Sequence, residues 1–509
     1  MKNIFITTPI YYVNDVPHIG HSYTTIIADV LSRYQRLLGN NVFFLTGTDE
    51  HGQKIEKSAE QRGLQPRELV DSVVLRYKEL WEKLNISYDY FVRTTDEQHK
   101  RIVQEVFQKI YEKGYIYLGN YEGLYCSPCE SYFTATQAVE GKCPDCGRDL
   151  VLLQEEAFFF KLSAFQDKLL AYIKQNEQFV LPHTRKNEVV SFIEQGLEDL
   201  CISRSSISWG IEVPELGIEL KNKHYIYVWF DALLNYITAI QYMENEKVFQ
   251  QHWPAYVQLI GKDILKFHCI IWPAMLMALD LELPEHVFGH GFIYQGGEKM
   301  SKSKGNVLDP NKIIEEYSVD AFRYYITREI VFGLDGTYSD VNMRQRYNSD
   351  LANDFGNLLN RTLSMMGRYF EFKVGKSNEA QLSEAELILK KEVHDLEIRI
   401  RQNMQDFKLS IVLEDIFSVI RKANKYIEDN MPWKLYKEEQ IDKLSNIMIQ
   451  LLETIKVVTT WLSPFMPQTA QKVYEQLNIS WQEKNLYNWG YFKEGMLLNK
   501  PEPLFPRKE

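Results

Sequence analysis

This 509-residue chain has no long apolar runs. The longest, Ile270–Leu279, is about ten residues, is interrupted by Pro273, and falls well short of the ~20 that span a bilayer. A membrane-spanning protein is therefore excluded as an expectation. Met1–Thr8 carries one lysine and no extended apolar segment, so no secretory leader is expected and the chain reads as cytoplasmic. Positive charge is also short: 58 Lys and Arg stand against 69 Asp and Glu, which gives −11. A generally basic surface is excluded, and any contact with nucleic acid has to come from local patches. There are no internal repeats or low-complexity tracts. The GxxxxGK[ST] phosphate loop is missing too, which rules out a P-loop enzyme. With 45% apolar and 13% aromatic residues the chain can bury several cores, so disorder is excluded as its main state.

Cysteine is scarce, but four of the six are clustered as Cys126-Ser-Pro-Cys129 and Cys143-Pro-Asp-Cys146. Each CxxC turn presents two thiolates to one point, and two such turns complete a tetrahedral site for Zn2+. Two disulfides or a redox pair are the alternatives. A cytosolic chain of this size rarely carries disulfides, and redox work needs only one CxxC. Four protein ligands close the site, which makes it structural. Cys201 and Cys269 lie in apolar surroundings and read as core thiols.

Along the chain, Asn3–Thr8 reads as a buried strand, His21–Leu38 as an amphipathic helix and Asn41–Thr46 as a second strand. That order is a βαβ unit, and it implies a parallel sheet. The apolar face of His99–Glu112 predicts a further helix, stopped by Gly114. The cysteine cluster interrupts this α/β pattern, which resumes with strand-like His224–Phe230 and Ala255–Leu259 and a helical Lys266–Leu279. Beyond about residue 345 helical periodicity takes over: Leu444, Ile447, Met448, Leu451, Leu452, Ile455, Val458 and Leu462 form one stripe, read as bundle core. Gly375–Glu386 reads as a loop, and Asn499–Glu509 as an extended wrap.

Two short motifs carry chemistry. Pro17-His18-Ile19-Gly20-His21 sits where the first strand gives way to its helix. A helix N-terminus offers free N–H groups and positive partial charge to phosphate, two histidines can add donors, and Gly20 permits close approach of a base. Alone, the four residues could equally be caps. Lys299-Met300-Ser301-Lys302-Ser303 lies between Gly296-Gly297 and Gly305. It reads as a hinged flap whose lysines follow charge developing on a leaving pyrophosphate, or alone as a solvated basic loop. A doubly wound sheet binds its ligands beyond the carboxyl ends of its strands, where both loops would converge.

Together these motifs resemble the HIGH and KMSKS signatures of the class I aminoacyl-tRNA synthetases. Further segments are similar to the bacterial methionyl branch: Thr8-Pro-Ile-Tyr-Tyr12-Val-Asn, Gly47-Thr-Asp49-Glu-His-Gly52, Tyr227-Val-Trp229-Phe-Asp231-Ala232, Gly261-Lys-Asp263-Ile264 with His268, and Met431-Pro-Trp433. The resemblance implies a doubly wound, Rossmann-type α/β catalytic domain with a zinc-bearing insertion, followed by an all-α anticodon-binding bundle. The boundaries expected are 1–115 and 226–345 for the two catalytic halves, 116–225 for the insertion and 346–509 for the bundle. It implies activation of L-methionine with ATP and Mg2+, then transfer to tRNA(Met). Ile10, Tyr12, Trp229, Ala232, Tyr236, Ile264 and His268 would line the methionine pocket, and Asp49 would hold the ammonium. Some relatives have proline where this chain has Leu233. His18, Gly20, His21, Gly261 and Asp263 would contact ATP, and Lys299 and Lys302 the developing charge. One structural Zn2+ would sit on Cys126, Cys129, Cys143 and Cys146.

For the anticodon, the resemblance points to Asn357, Arg361 and Trp433. The first two are one turn apart on a helix and share a face. Trp433 lies in Arg421–Lys437, where five basic and two acidic residues give a local +3. The length leaves no room for the further C-terminal domain that some relatives use to dimerise, so a monomer is expected.

Overall fold

The computed structural model describes the whole chain except residues 15, 128–130, 134–137, 139–140, 145, 296–297, 300–307, 378–381 and 509, and the backbone alone at 131–133 and 298–299. The chain divides into two units, Met1–Gly291 and Phe292–Glu509.

The first unit is built on a six-stranded sheet that is parallel throughout. Its strands are Tyr90–Arg93, Asn41–Asp49, Asn3–Tyr12, Val257–Gly261, His286–His290 and Val180–Leu181, in that spatial order. The central strand NIFITTPIYY is rich in β-branched and aromatic residues and buried along nearly all its length, as a strand covered on both faces must be. From it the chain steps outward to Asn41–Asp49 and Tyr90–Arg93, and then returns to fill the other side. Asn3–Tyr12 and Val257–Gly261 are therefore neighbours across the point where the order reverses, and their carboxyl ends open a crevice. The register with Asn41–Asp49 shifts between Thr7 and Ile10. Pro9, which has no N–H to donate, stands at that irregularity, and the shift re-aims the side chains beyond it.

The segment expected as an insertion contributes an antiparallel sheet of Ser131–Phe133, Ile116–Cys126, Val151–Phe160 and Leu200–Cys201. It is not sealed off from the catalytic sheet. Val180–Leu181 leaves it to become the edge strand beside His286–His290, and Phe158, Phe160 and Phe165 join the same core as Phe107 and Phe230. The expected strand His224–Phe230 differs: only Tyr225–Ile226 is extended, and Val228–Leu233 is a helix. A short apolar run has no periodicity to tell helix from strand, so packing settles it.

The second unit begins with a small sheet in which Ile293–Gln295 pairs with Glu298–Lys299 and Gly336–Tyr338. Helices follow, among them Asn357–Phe370, Glu384–Gln405, Leu409–Asn430, Pro432–Lys437, Ile441–Leu462 and Pro467–Leu477. Ile441–Leu462 departs from the one-sided stripe that its sequence suggests, because every residue from Leu444 to Leu462 is buried. Part of its polar face is covered by residues 488–492, which precede the expected wrap. Glu453 accepts from the Phe492 N–H at 2.8 Å and pairs with Lys456 at 2.8 Å, and Lys456 donates to the Asn488 carbonyl. A buried charge tolerates such surroundings only when paired and hydrogen-bonded, as here.

Among the described residues, no helix is long and apolar enough to cross a membrane.

Candidate active site

The helix that follows the central strand runs Ile19–Leu37, and His18 caps it. The Gly20 N–H donates to His18 Nδ1 at 3.0 Å, and the His18 N–H donates to His21 Nδ1 at 3.2 Å. The two rings stack with centroids 3.8 Å apart. The capping and phosphate-binding readings of the motif are thus compatible. An imidazole that accepts at Nδ1 carries its proton at Nε2, which leaves both rings as Nε2–H donors at a positive helix end. Gly20 is needed for this arrangement: a Cβ there would meet the His18 ring at 2.9 Å. Gly261 ends the neighbouring strand, and a Cβ on it would fall 2.5 Å from the Asp263 carboxylate. Gly20, at the start of the helix, and Gly261, at the end of the neighbouring strand, lie on the connections that leave the two paired strands, with exposed Asp263 beside the second.

One cleft in the same unit collects residues from four parts of the chain. Ile10 and Tyr12 come from the central strand and Asp49 from the end of its neighbour. Trp229, Ala232 and Tyr236 come from the helical turns after Val228, and Ile264 and His268 from the segment after Val257–Gly261. Pro9, Leu233 and Asn235 complete the wall. Pro9 and Asn235 were not anticipated from sequence, although Pro9 stands inside the quoted Thr8–Tyr12 motif. Trp229 lies flat against Phe267, 3.7 Å between centroids, and meets Tyr12 edge-on at 6.2 Å. The enclosure is aromatic and aliphatic with one carboxylate, Asp49, only 2% exposed.

His268 sets the polar character of the cleft's far end. Burial pushes its pKa down to about 4, against the opposing bond to the Ile264 carbonyl. The neutral ring donates from Nδ1 to Ile264 O at 3.0 Å and accepts at Nε2 from Tyr236 Oη at 2.7 Å. Burial raises the Tyr236 phenol, so it stays a donor. The folded protein thus binds fewer protons than the unfolded chain between the ordinary value of 6.5 and about 4. The stability contributed by His268 is full above that window and lost as pH falls through it. At about 1.4 kcal/mol per unit this amounts to up to about 3 kcal/mol. The urea midpoint of the wild type is expected to fall more steeply on acidification through this window than that of His268→Gln; parallel curves would contradict this.

The cysteine cluster lies on the insertion's sheet. Cys126 ends a strand, and Cys143 and Cys146 sit in a turn closed by the Lys142–Asp149 bridge and by hydrogen bonds from Cys143 N to Arg148 O and Gly147 N to Cys143 O, both 2.8 Å. Their three sulfurs lie within 4.8 Å of one another, and Cys126 Sγ to Cys146 Sγ is 3.6 Å. That separation is far beyond a disulfide bond and close to the ~3.8 Å edge of a tetrahedron with Zn–S bonds of ~2.3 Å. Cys129 lies outside the described residues. Cys201 and Cys269 are buried, as expected of core thiols.

Within the second unit, Asn357 begins its helix and is exposed, and Arg361 pairs with Glu428 at 3.5 Å. Glu428 belongs to Leu409–Asn430, which leads into the helix of Trp433. Tyr369 stacks on Tyr436 at 4.5 Å and joins the same two regions. Trp433 is 41% exposed. Through Glu428, Arg361 is tied to the helix whose end leads into the helix of Trp433. Lys299 pairs through its backbone with Tyr294, while Lys302 lies outside the described residues.

Comparison with known proteins agrees in kind with this arrangement. The family model "tRNA synthetases class I (M)" matches residues 4–152 and 149–363, and "Anticodon binding domain of methionyl tRNA ligase" matches 377–509. The methionine–tRNA ligase of Caldanaerobacter subterraneus subsp. tengcongensis is 49% identical over 99% of this chain and 79% of its own length. That of Bacillus subtilis is 43% identical over 100% of this chain and 78% of its own. Among solved structures, Mycobacterium tuberculosis methionyl-tRNA synthetase in complex with methionyl-adenylate superimposes with a TM-score of 0.95 at 38% identity, covering 100% of both chains. Its apo form gives 0.87 at 35% identity, covering 100% of this chain and 99% of that one.

Proposed function

The chain belongs to the methionyl-tRNA synthetases of class I, and from that premise we propose that the cleft beyond the central strand holds methionine while the capped helix beside it holds the phosphates of ATP. The protein is a methionine–tRNA ligase. The observation that carries the assignment of its residues is the convergence of Asp49, Tyr12, Trp229 and His268 in one cleft at the switch point of the sheet. A polarizable thioether suits an aromatic enclosure, and the buried Asp49 carboxylate suits an ammonium.

In this reading Asp49 holds the amino group and leaves the methionine carboxylate free to attack the α-phosphorus in line. The bond from that phosphorus to the leaving pyrophosphate breaks, and methionyl-adenylate forms. The Nε2–H groups of His18 and His21 stabilise charge on the phosphates, Gly261 and Asp263 seat the ribose, and Lys299 and Lys302 follow the departing pyrophosphate, with Mg2+ accompanying ATP. The 2′-hydroxyl of the terminal tRNA ribose then attacks the activated carbonyl, loses its proton and displaces AMP. Positioning and electrostatics carry the acceleration. Asn357, Arg361 and Trp433 read the anticodon.

Cys126, Cys143 and Cys146, joined by Cys129, would hold one Zn2+, which supplies a structural cross-link and no chemistry to the reaction. Metal analysis of the purified protein is expected to find one zinc per chain, and a fully stable, active, zinc-free preparation would refute the site. The reading as a whole is tested by ATP–pyrophosphate exchange with a panel of amino acids. Methionine should drive exchange far better than the others, and absence of methionine-dependent exchange would sink it.

A further inference from the structure

The carboxylate of Asp231 is fully buried and belongs to the helix Val228–Leu233, three of whose other residues, Trp229, Ala232 and Leu233, wall the cleft. Both of its oxygens are occupied by histidines brought from far along the chain. His51 Nδ1 lies 2.7 Å from Oδ2, and His99 Nε2 lies 2.7 Å from Oδ1. His99 continues the chain through Nδ1, 2.7 Å from Thr238 Oγ1. Burial alone would raise the Asp231 pKa, but the two histidines outweigh it and hold the group below its ordinary value. It is therefore an acceptor at both oxygens, and each histidine donates to it.

This cluster braces one particular loop. His51 stands two residues after Asp49. Glu50, between them, is tied at every polar atom of its side chain: Arg93 donates to it twice at 2.7 and 2.8 Å, and Thr48 and Thr95 each at 2.6 Å. Its N–H donates to Thr94 Oγ1 at 2.9 Å, and its carbonyl accepts from the Trp209 indole at 2.6 Å. Glu50 fixes the loop to the neighbouring strand Tyr90–Arg93, and His51 fixes it to the helix that carries Trp229. The stretch from Asp49 to the aromatic wall is thus spanned by buried hydrogen bonds that never enter the cleft.

We propose that His51, Asp231 and His99 are positioning residues for methionine: they set the distance between the Asp49 carboxylate and the Trp229 wall, and through it the affinity for the amino acid. The proposal rests on the methionine reading of the cleft. Displacing a binding group by an ångström costs up to about 100-fold, whereas a fault in general stability would spread to both substrates. The geometry also fixes which replacement restores function. His51 donates from Nδ1, where an asparagine amide can stand in, and His99 from Nε2, where a glutamine amide can.

The test is methionine-dependent ATP–pyrophosphate exchange with His51→Ala, His51→Asn, His99→Ala and His99→Gln. KM is measured separately for methionine and ATP, and near-ultraviolet circular dichroism reports folding. The alanine variants should raise KM for methionine about 10-fold or more with KM for ATP within about 2-fold, and His51→Asn and His99→Gln should return it to within about 3-fold of wild type. Should His51→Ala not fold, His51→Gln, whose amide lies one bond too far, takes its place and should behave as the unrestored variant. An unchanged methionine KM in the folded alanine variants, an equal rise for both substrates, or equal behaviour of His51→Asn and His51→Gln would overturn the proposal. Trp229→Ala separates the two levels of inference. If it leaves the methionine KM untouched, the cleft reading falls. If it raises that KM while His51→Ala does not, only the positioning role falls.

Discussion

Replacing Asp49 with asparagine is expected to lower kcat/KM for methionine in ATP–pyrophosphate exchange by about 100-fold. The substitution conserves shape and removes the charge, so it isolates the contribution of the carboxylate. Asp49 ends the strand Asn41–Asp49, is 2% exposed, and faces the cleft between Tyr12 and the Trp229 wall. A hydrogen bond to a charged group contributes roughly 1.5–3 kcal/mol, and removing one partner of a buried ion pair costs about 3–5 kcal/mol. A loss near 3 kcal/mol corresponds to the 100-fold expected. The effect should fall on methionine, with KM for ATP within about 2-fold, because the helix end proposed to hold the phosphates is a separate element. A loss below about 3-fold would mean that Asp49 does not meet the ammonium. A comparable loss for ATP would make it a fold residue instead.

Trp433→Ala should reduce kcat/KM for tRNA by about 10- to 100-fold and leave exchange unchanged, since stacking of a base on an aromatic ring is worth about 1–3 kcal/mol. Trp433 sits on the short helix Pro432–Lys437 and is 41% exposed, while Pro432 and Leu435 are buried and anchor that helix. Tyr436 is held against Tyr369 independently. Removing the indole therefore takes away a surface ring without emptying a core, and Trp433→Phe should recover most of the loss. Because the chain carries −11 overall and the contact draws on the local +3 of Arg421–Lys437, weakening of tRNA binding by salt should persist in the alanine variant. Equal damage to exchange and to tRNA charging would mark Trp433 as a packing residue.

The legibility of this protein in its sequence followed the range of the interactions involved. The cysteine pairs, the histidines at a helix start and the βαβ order are short-range patterns, and Asn3–Tyr12, Ile19–Leu37 and Asn41–Asp49 lie where the pattern puts them, give or take a few residues at their ends. The motifs around Asp49 and Trp229 were also readable, but only as separate stretches. Asp231 entered the sequence reading only as one residue of a motif, and nothing local identifies His51 and His99 as its partners. The same holds for Val180–Leu181, too short to register as a strand until His286–His290 offers its edge, and for the buried polar face of Ile441–Leu462, which Glu453 and Lys456 satisfy against residues 488–492.

By itself, then, the sequence determined the chemical vocabulary of this protein: which side chains stand at strand ends and helix starts, where thiolates pair, and where an aromatic lies in a basic stretch. The tertiary structure alone decided which of these meet. Periodicity and turn chemistry act over a few residues, whereas the cleft, the sulfur cluster and the carboxylate shared by two histidines each join segments far apart in the chain, and only the packing of a buried core brings such segments within hydrogen-bonding distance.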